Sequence, residues 1–452
     1  SLIGSDMEKE NKDDFLVIDD PFKSGQKIGL VKALQPDLTV VHAWMADADG
    51  NAVFAPPLAD NMYGAMASKE GVLLTAEKIV PTEVIRKYSH MMGLPGVYVR
   101  SVSEVPFGAH PSGLSNVGLD WMPLYAEDYR FVEDVHQASK DPDAFQMWVE
   151  EWVLSCKDHE DYLEKLGLDR ILQLKGQSHS DSWCFDLETV EKVPDTEDYT
   201  PIEMAVVAMN RKLKEKIINN DYKTLLAGAG IANLGAWLSY YMLEDEGRTV
   251  ELMAEVGMYG YAPRPTEPFL FGLRNFLTCK KGTDVHHILG IFVGGINGSC
   301  IGALGVGQVD EHGNINTTKM AEDRYIVGSG GANDVASRAK EVVAIVIQGK
   351  SRMPKDVYYV TSPGERVTAV VTNYGVFEKI KSNKTFTLTG YYPIEGKSME
   401  EILEMIRERC EWSFDIADDL EKIAPPTKRE LDIIRIFDTH RYYLGPSPDE
   451  EK

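Results

Sequence analysis

Two copies of one short turn limit what this chain can fold into more than any other feature of its sequence. Residues 46–51 read ADADGN and residues 309–314 read VDEHGN. Each copy is followed by a helical segment that contains AS[KR], at Ala67 and Ala336, and then by a valine-rich strand. D-x-x-G-N is also a generic turn sequence, but the shared order of the following elements favours a duplication. The sequence therefore predicts two related α/β units packed against each other.

Apolar runs that alternate with helical patterns extend this prediction along the chain. In the first half, strands are predicted over 38–43, 71–76 and 96–101, and helices dominate from residue 125 to about residue 175. Strands that alternate with helices are typical of open parallel or mixed sheets with helices on their faces. The expected fold class is therefore α/β.

The polar, acidic and weakly periodic residues 176–200 are typical of a segment between domains. We therefore divide the chain into a first domain over 1–175, a linker over 176–200 and a second domain over 201–452. The second domain is predicted to begin with a long helix over 201–219.

Charge and cysteine content exclude several classes of protein. Lys and Arg number 47 against 71 Asp and Glu, a net charge of −24, so neither nucleic acid nor an anionic membrane is an expected partner. The five cysteines form no CxxC pair, which favours a reducing cytoplasm over a disulfide scaffold or a zinc site. No apolar run approaches the length of a membrane span.

The segment TVELMAEVGMYG, residues 249–260, carries the most informative acidic residue. Its alternating apolar residues predict a short, buried strand that runs into Gly257 and Gly260, which allow a sharp turn. Glu255 then lies at the carboxyl end of a strand, where open α/β sheets bind their ligands. Glu255 is either a working carboxylate or a strand-end residue that faces solvent, and this segment alone does not decide between them.

A strand, a glycine-rich turn and a helix follow one another at residues 222–243. Gly228 and Gly230 in that turn allow backbone N–H groups to face an anion. The turn is not the dinucleotide-binding fingerprint, because Asn233 occupies the position of the third glycine.

Two histidine features are weaker. His286 and His287 fall in a strand predicted over 286–292, where neighbouring side chains point to opposite faces, so structural roles are favoured over a shared metal. His110 lies in the loop PFGAHPSG and either lines a substrate pocket or is satisfied within a turn.

Taken together, these motifs resemble the family I CoA-transferases, nearest the glutaconate type. The second half resembles the β subunit, through the E-x-G step at Glu255, the VDxxGNxN turn at 309–316 and the GxGGANDxAS loop at 328–337. The first 175 residues resemble the later part of the α subunit, through LQPDLTVVHA, ADADGN, LLTAEKIV and VPFGAHPSG.

The resemblance implies a transferase that moves CoA from an acyl-CoA to a carboxylic acid. In the family a glutamate forms an acyl-glutamyl anhydride and then a glutamyl-CoA thioester, and glycine-rich loops supply N–H donors to the oxyanions. By this resemblance Glu255 is the catalytic residue. The residues expected to bind substrate or CoA are Gly228, Gly230, Asn233, Gly257, Gly330, Gly331, Ala332 and Asn333. No cofactor is expected to be bound permanently, since the CoA thioester is a substrate.

The sequence departs from the family in two places. Val256 is bulkier than the Ser or Asn that commonly follows the family glutamate. The βα region at the start of the family's α subunit has no counterpart, so the first domain is expected to lack it. Another polypeptide supplies that region, or the chain is processed or truncated, or the fold has changed. A homo- or hetero-oligomer is expected.

Other functions stay open at this point. A CoA-thioester hydrolase or a C–C lyase belongs to the same superfamily, whose decarboxylases replace the glutamate by cysteine. An NAD(P)-binding oxidoreductase would use Gly228 and Gly230 but lacks the full fingerprint and a ribose-binding acid. A non-catalytic assembly partner is the remaining alternative.

Overall fold

The computed structural model describes residues 2–91, 93–190, 193–380 and 384–448. The chain divides into two compact units. The small unit comprises Leu34–Thr189 and Phe271–Asp284. The large unit comprises Ser1–Ala33, Val190–Leu270 and Val285–Lys452.

The boundaries of these units differ from those of the predicted domains 1–175 and 201–452. The first 33 residues belong to the large unit rather than to the first domain. The predicted linker over 176–200 contains a helix, and its residues 191 and 192 lie outside the described residues.

The strands are numbered in chain order: β1 (Phe15–Asp19), β2 (Lys27–Val31), β3 (Thr39–Ala46), β4 (Ala52–Val53), β5 (Val72–Ile79), β6 (Gly93–Leu94), β7 (Val99–Glu104), β8 (Thr224–Ala227), β9 (Glu251–Ala254), β10 (Met258–Tyr261), β11 (Lys281–Gly282), β12 (Cys300–Gly305), β13 (Gln308–Val309), β14 (Ile315–Asn316), β15 (Lys319–Ala321), β16 (Arg324–Tyr325), β17 (Glu341–Ile345), β18 (Val367–Val371), β19 (Gly375–Glu378), β20 (Thr387–Tyr391) and β21 (Asp415–Lys422).

The helices are α1 (Asp6–Glu10), α2 (Asn61–Met66), α3 (Thr82–Lys87), α4 (Tyr129–Ala138), α5 (Pro142–Val149), α6 (His159–Leu166), α7 (Leu168–Gln177), α8 (Trp183–Thr189), α9 (Pro201–Asn220), α10 (Ile231–Asp245), α11 (Leu273–Phe276), α12 (Ala332–Arg338), α13 (Met399–Glu408) and α14 (Lys428–Phe437). Short 3₁₀ turns cover Gly96–Tyr98 and Gly364–Arg366, and π-helical turns cover Glu150–Leu154 and His286–Val293.

The small unit is built on a sheet with strand order β6-β4-β3-β5-β7. β3, β5 and β7 are parallel to one another, as expected of an α/β layer. One face of these strands is buried and includes Ala43, Leu74 and Ala76. The strands predicted over 38–43 and 71–76 are confirmed as β3 and β5. The strand predicted over 96–101 begins later, because a 3₁₀ turn occupies its first residues.

In the large unit the sheet has the strand order β10-β9-β8-β12-β17-β18-β19-β20-β21. The strands from β9 to β18 in this order are parallel, and β10 turns back antiparallel to β9. Every residue of β17 is buried, which is typical of a central parallel strand covered on both faces. Thr200 and Glu203 form a capping box at the start of α9, and the helix predicted over 201–219 is confirmed.

The apolar run predicted as a strand over 286–292 is instead the π-helical turn His286–Val293, so that prediction is wrong. Ile288 and Val293 of this turn are buried in the core of the large unit. A short apolar run suits a buried strand and a buried helical turn equally well, and tertiary packing decides between them.

The first copy of the repeated turn is held by the side chains of an aspartate and an asparagine. Asp47 Oδ1 accepts the N–H groups of Asp49 at 3.1 Å and Asn51 at 2.9 Å. Asn51 Oδ1 in turn accepts the N–H of Gly96 at 2.9 Å. A Cβ atom at Gly96 would lie 2.2 Å from the Asp49 carbonyl oxygen, so the close approach requires glycine.

The same bonds recur in the second copy. Asp310 Oδ1 accepts the N–H groups of His312 and Asn314, both at 2.9 Å. Asn314 Oδ1 accepts the N–H of Gly364 at 2.9 Å. A Cβ atom at Gly364 would lie 2.2 Å from the carbonyl carbon of Gly313.

Strand pairing follows the same pattern around both turns. β4 pairs antiparallel with β3, and in the same way β14 pairs antiparallel with β13. The pair Met45↔Val53 occupies the same position relative to the first turn as Gln308↔Asn316 does relative to the second. β5 is parallel to β3, and in the same way β17 is parallel to β12. The register of β5 with β7 shifts after the first two paired residues, and the register of β17 with β18 shifts at the same point. The predicted duplication of α/β elements is therefore present in both units.

Within the described parts of the chain, no helix combines the length and apolar character needed to cross a membrane.

Candidate functional site

Glu255 lies in the tight turn that joins β9 to β10. Ala254 at the end of β9 pairs with Met258 at the start of β10. Gly257 donates its N–H to the Ala254 carbonyl at 3.2 Å and has a φ of 121°, a region that disfavours side chains. The sequence therefore needs glycine here to reverse the chain, and the turn leaves Glu255 at the carboxyl end of β9, as predicted.

The Glu255 carboxyl is desolvated by the protein around it. Burial raises its pKa above the ordinary value, and only its own backbone N–H acts in the opposite direction. No cationic side chain among the described residues contributes to this pKa. A carboxylate that water and cations do not stabilise is a stronger nucleophile than a solvated one.

The predicted glycine loop packs directly against this glutamate. A Cβ atom built on Gly331 would lie 3.2, 3.3 and 3.5 Å from the Cβ, Cγ and Cδ atoms of Glu255. Gly330 has a φ of 50°, so the chain turns sharply just before this contact. The structure thus brings the turn with Glu255 and Gly257 next to the turn with Gly330 and Gly331, although the two turns lie far apart in the sequence.

The N–H groups of this loop differ in their availability to an oxyanion. The N–H of Ala332 donates to the Ser329 carbonyl at 3.0 Å and is occupied. The N–H groups of Gly330 and Gly331 have no backbone acceptor within the part of the chain that the structure describes. Gly331, which contacts Glu255, and the preceding Gly330 therefore have N–H groups available to an oxyanion, whereas the N–H of Ala332 is already bonded.

Asn333 is oriented away from such a role. Its side chain is 2% exposed, and its Nδ2 donates to the Thr361 carbonyl at 2.7 Å. Direct binding of substrate by Asn333 stays a prediction, and the observed partner of its side chain is the Thr361 carbonyl.

The turn that contains Gly228 and Gly230 has the predicted strand–turn–helix form. Gly228 donates its N–H to the Ala303 carbonyl at 2.8 Å, and a Cβ atom there would lie 2.7 Å from that oxygen. Gly230 precedes α10 with a φ of 84° and open space around its Cα. Asn233 is fully buried, and its Nδ2 donates to the Pro268 carbonyl at 3.3 Å. These contacts explain the glycines structurally, and CoA binding by the turn stays a prediction.

A second buried carboxylate, Glu77 at the end of β5, was not singled out from the sequence. His42 Nε2 lies 3.0 Å from it, Tyr125 donates its hydroxyl at 2.5 Å, and the N–H groups of Phe107 and Gly108 donate at 2.8 and 3.1 Å. Burial raises the pKa of Glu77, but these hydrogen bonds outweigh burial and hold the pKa below its ordinary value. A glutamate at the end of a buried strand was the available signal. Because the Glu77 carboxylate has these four hydrogen-bond partners, it is suited to hold the 105–113 loop in place rather than to react.

His110 is also satisfied within the protein. Its side chain is fully buried, with Nε2 3.0 Å from Asp128 and Nδ1 2.6 Å from the Tyr162 hydroxyl. Of the two alternatives for this residue, the geometry favours the structural one.

Comparisons with known proteins concern the family and the fold of the chain. A model of the coenzyme A transferase family matches residues 3–105. One subunit of the glutaconate CoA-transferase of Acidaminococcus fermentans is 34% identical over 169 residues, which are 37% of this chain and 50% of that subunit. The other subunit of the same enzyme is 24% identical over 254 residues, which are 51% of this chain and 90% of that subunit. The chain thus spans about half the length of the first of these two relatives.

A solved structure supports the fold. The acyl-CoA transferase YdiF of Escherichia coli O157:H7, in a thioester complex with CoA, aligns with a TM-score of 0.56 over 98% of this chain and 72% of that one. At 14% identity this similarity shows the fold alone.

Residues 3–105 thus match the coenzyme A transferase family, and the chain as a whole has a fold similar to that of a solved acyl-CoA transferase. Its similarity to both subunits of a glutaconate CoA-transferase agrees with the resemblance of its motifs to the family I, glutaconate-like type.

Proposed function

We propose that this protein transfers CoA from an acyl-CoA to a carboxylic acid, with Glu255 as the covalent nucleophile. The observation that carries the proposal is the contact between the desolvated Glu255 and Gly331, whose N–H has no backbone acceptor among the described residues. Nucleophile and oxyanion donor are the two parts that acyl transfer from a thioester requires.

The first half of the reaction converts the glutamate into a thioester. A Glu255 carboxylate oxygen attacks the thioester carbonyl, the C–S bond breaks, and CoA leaves as a thiolate beside an acyl-glutamyl anhydride. The thiolate then attacks the glutamyl carbonyl of the anhydride and displaces the first acid as its carboxylate. Glutamyl-CoA thioester remains on the enzyme, and one negative charge has passed from the glutamate to the released acid.

The second half repeats these steps in reverse. A second carboxylate attacks the glutamyl thioester and releases CoA thiolate, and the thiolate takes the new acyl group from the anhydride. Glu255 is restored as a carboxylate. Each tetrahedral intermediate carries an oxyanion, and the proposed donors to it are the N–H groups of Gly331 and of the preceding Gly330. Substrates of the site are therefore an acyl-CoA and a carboxylic acid.

One edge of β3 in the small unit is exposed, which favours the binding of a further polypeptide segment there. By strand register, Leu38 and Val40 of the small unit correspond to Ile301 and Ala303 of the large unit. Ile301 and Ala303 are fully buried where β8 pairs with β12, whereas Leu38 is 44% and Val40 is 67% exposed. We infer that a strand–turn–helix segment like β8–α10 pairs with this edge of β3.

The cytoplasm is the proposed compartment. None of the five cysteines forms a disulfide bond, as is expected in a reducing environment.

A thioester hydrolase of the same superfamily is the second candidate, because the same covalent glutamate would serve it with water as acceptor. Intact-mass analysis during incubation with a panel of acyl-CoAs, with and without carboxylic acids, tests both. The transferase is expected to gain the mass of CoA and to form a new acyl-CoA when an acid is added. Release of free CoA at the same rate with and without acid would favour the hydrolase. Turnover that survives in Glu255→Ala would contradict both.

A further inference from the structure

The glycine loop is tied to a distant segment by one buried amide. Asn333 follows Gly331 by two residues, in the first turn of α12. Its Nδ2 donates to the Thr361 carbonyl at 2.7 Å, and its side chain is 2% exposed. The position of Gly331 against Glu255 therefore depends on where Thr361 lies.

Thr361 is itself held on several sides. Its N–H donates to the Ile315 carbonyl at 2.8 Å. Its hydroxyl accepts the N–H of Thr317 at 3.0 Å and lies 2.8 Å from the Thr318 hydroxyl. Thr361 is fully buried, so these bonds do not compete with solvent. The anchor to which Asn333 is bonded is rigid.

This network is a costly way to stabilise a fold. Asn333 Oδ1, Thr317 Oγ1 and Ser362 Oγ are buried, and they have no hydrogen-bond partner within the described residues. A buried polar atom without a partner costs about 1–3 kcal/mol. An apolar side chain at position 333 would avoid the unpaired Oδ1 but would leave the buried Thr361 carbonyl without this donor. Retention of such a network is expected where geometry matters more than stability.

Helix α1 holds the same segment from the other side. Asp6 donates its N–H to the Val360 carbonyl at 2.8 Å and accepts the Val360 N–H on its carboxylate at 2.6 Å. Glu10 accepts the Tyr359 hydroxyl at 2.6 Å and forms an ion pair with Lys319. Residues 359–361 are thus fixed between α1 and the loop helix α12.

We propose that Asn333 is a positioning residue, which holds the Gly330–Gly331 turn against Glu255 by its bond to Thr361, and that α1 completes this hold through Asp6 and Glu10. The inference rests on the proposed role of Glu255. It assigns Asn333 a function without substrate contact, and it makes the N-terminal helix part of the active-site support.

The proposal makes a specific kinetic claim. Loss of the Asn333–Thr361 bond lets Gly331 move away from Glu255, so the oxyanion loses a donor in the transition state while ground-state binding of CoA is retained. A donor displaced by about 1 Å or lost costs on the order of 100-fold in rate. The same movement admits water to Glu255, so its pKa falls toward the ordinary value and the acid limb of the rate profile moves to lower pH.

Asn333→Leu is the test variant and Asn210→Leu is its matched control. Both asparagines are buried in helices of the large unit, and both have an Oδ1 without a partner in the described residues. Asn210 is bonded to Glu430 in α14, away from the loop. Asn333→Leu is expected to lower kcat by about 100-fold with KM within about 2-fold, and to shift the acid limb downward. Asn210→Leu is expected to change neither. Equal kinetic effects of the two variants would overturn the proposal.

The surface contacts of α1 provide a second test that does not risk the core. The double variant Asp6→Ala, Glu10→Ala removes both acceptors and is expected to lower kcat several-fold, and Glu8→Ala in the same helix is expected to leave it unchanged. An unchanged kcat in the double variant would contradict the role of α1.

Hydrogen exchange separates this proposal from the proposed reaction. The amides of Ala332 and Val335, which donate to the carbonyls of Ser329 and Gly331, are expected to exchange faster in Asn333→Leu than in Asn210→Leu, whatever reaction the protein performs. Faster exchange together with a Glu255→Ala variant that keeps full turnover would reject the role of Glu255 alone. Unchanged exchange in Asn333→Leu would reject the positioning role alone.

Discussion

The two units of this protein contain the same structural module with different surroundings. In each unit an aspartate closes a turn, an asparagine accepts the N–H of a glycine from the next 3₁₀ turn, and the strands pair in the same register. The large unit adds β8, α10 and the β9–β10 turn with Glu255 on the open side of this module. The module is therefore a scaffold, and the added elements carry the proposed chemistry.

The two buried glutamates show the same difference at the level of one side chain. Glu77 has hydrogen bonds from two side chains and two N–H groups, and its pKa is lowered. The Glu255 carboxyl is buried, no other described residue contributes a hydrogen bond to its pKa, and its pKa is raised. Burial alone does not make a carboxylate reactive, since the number of its donors decides whether it stabilises the fold or remains available for attack.

The largest expected effect separates these glutamates. Glu255→Gln is expected to lower CoA transfer by at least about 1,000-fold, because an amide oxygen cannot form the anhydride. Glu77→Gln is expected to retain the covalent step at Glu255 wherever the protein stays folded. Initial rates with purified variants at a temperature well below unfolding check both. A Glu77 variant that is as inactive as the Glu255 variant would remove the distinction.

The open edge of the small unit provides the next comparison. Ala303→Lys is expected to destabilise the protein by at least about 3 kcal/mol, because the position is fully buried beside β8. Val40→Lys, at the corresponding position of the small unit, is expected to change the free energy of unfolding by less than about 0.5 kcal/mol. Denaturant unfolding of the 452-residue chain measures both. A large loss in Val40→Lys would show that the edge of β3 is already covered.

The contact between the glycine loop and the glutamate is tested by adding one methyl group. In Gly331→Ala the new Cβ atom lies 3.2–3.5 Å from Glu255, so one of the two must shift by a few tenths of an ångström. We expect kcat to fall by about 10-fold with little change in stability. Gly349→Ala is the control, because a Cβ atom there meets nothing within 4 Å in the described parts of the chain. Equal activity of the two variants would contradict the proposed contact.

The smallest effect concerns stability against pH. The pKa of Glu77 is lowered in the folded protein, so its contribution is full above its unfolded pKa and is lost as pH falls through the folded pKa. The pKa of Glu255 is raised, so its ionisation costs stability above the unfolded pKa, and that cost disappears as pH falls. At pH 7 Glu77→Gln is expected to lower Tm and Glu255→Gln to raise it slightly. Melting curves of both variants and of the unchanged protein at pH 7 show whether the two shifts have opposite signs, and curves at about pH 3 show whether the Glu77 difference becomes smaller as its carboxylate is protonated.

Much of the scaffold is predictable from the sequence because its determinants are local. The turns depend on an aspartate, an asparagine and a glycine at fixed spacing, and β3, β5 and β17 are apolar runs of ordinary strand length. The proximity of Glu255 to the turn glycine Gly257 is local for the same reason.

Features that depend on distant contacts were not predictable in this way. The π-helical turn His286–Val293 has the composition of a strand, and only the surrounding core selects its conformation. The hydrogen bonds to Glu77 come from β3 and from loops that lie 30 to 48 residues further along the chain. The docking of α1 on residues 359–361 joins opposite ends of the sequence, and no periodic pattern records it.

The covalent state of Glu255 during turnover is the most direct test of this account. The enzyme is incubated with an acyl-CoA donor, treated with borohydride and digested, and the peptide that contains Glu255 is analysed by mass spectrometry. A glutamyl-CoA thioester at this residue is expected to be reduced to the corresponding alcohol, and only when the acyl-CoA is present. CoA transfer with an unmodified Glu255 peptide, or with the thioester on another residue, would contradict the account.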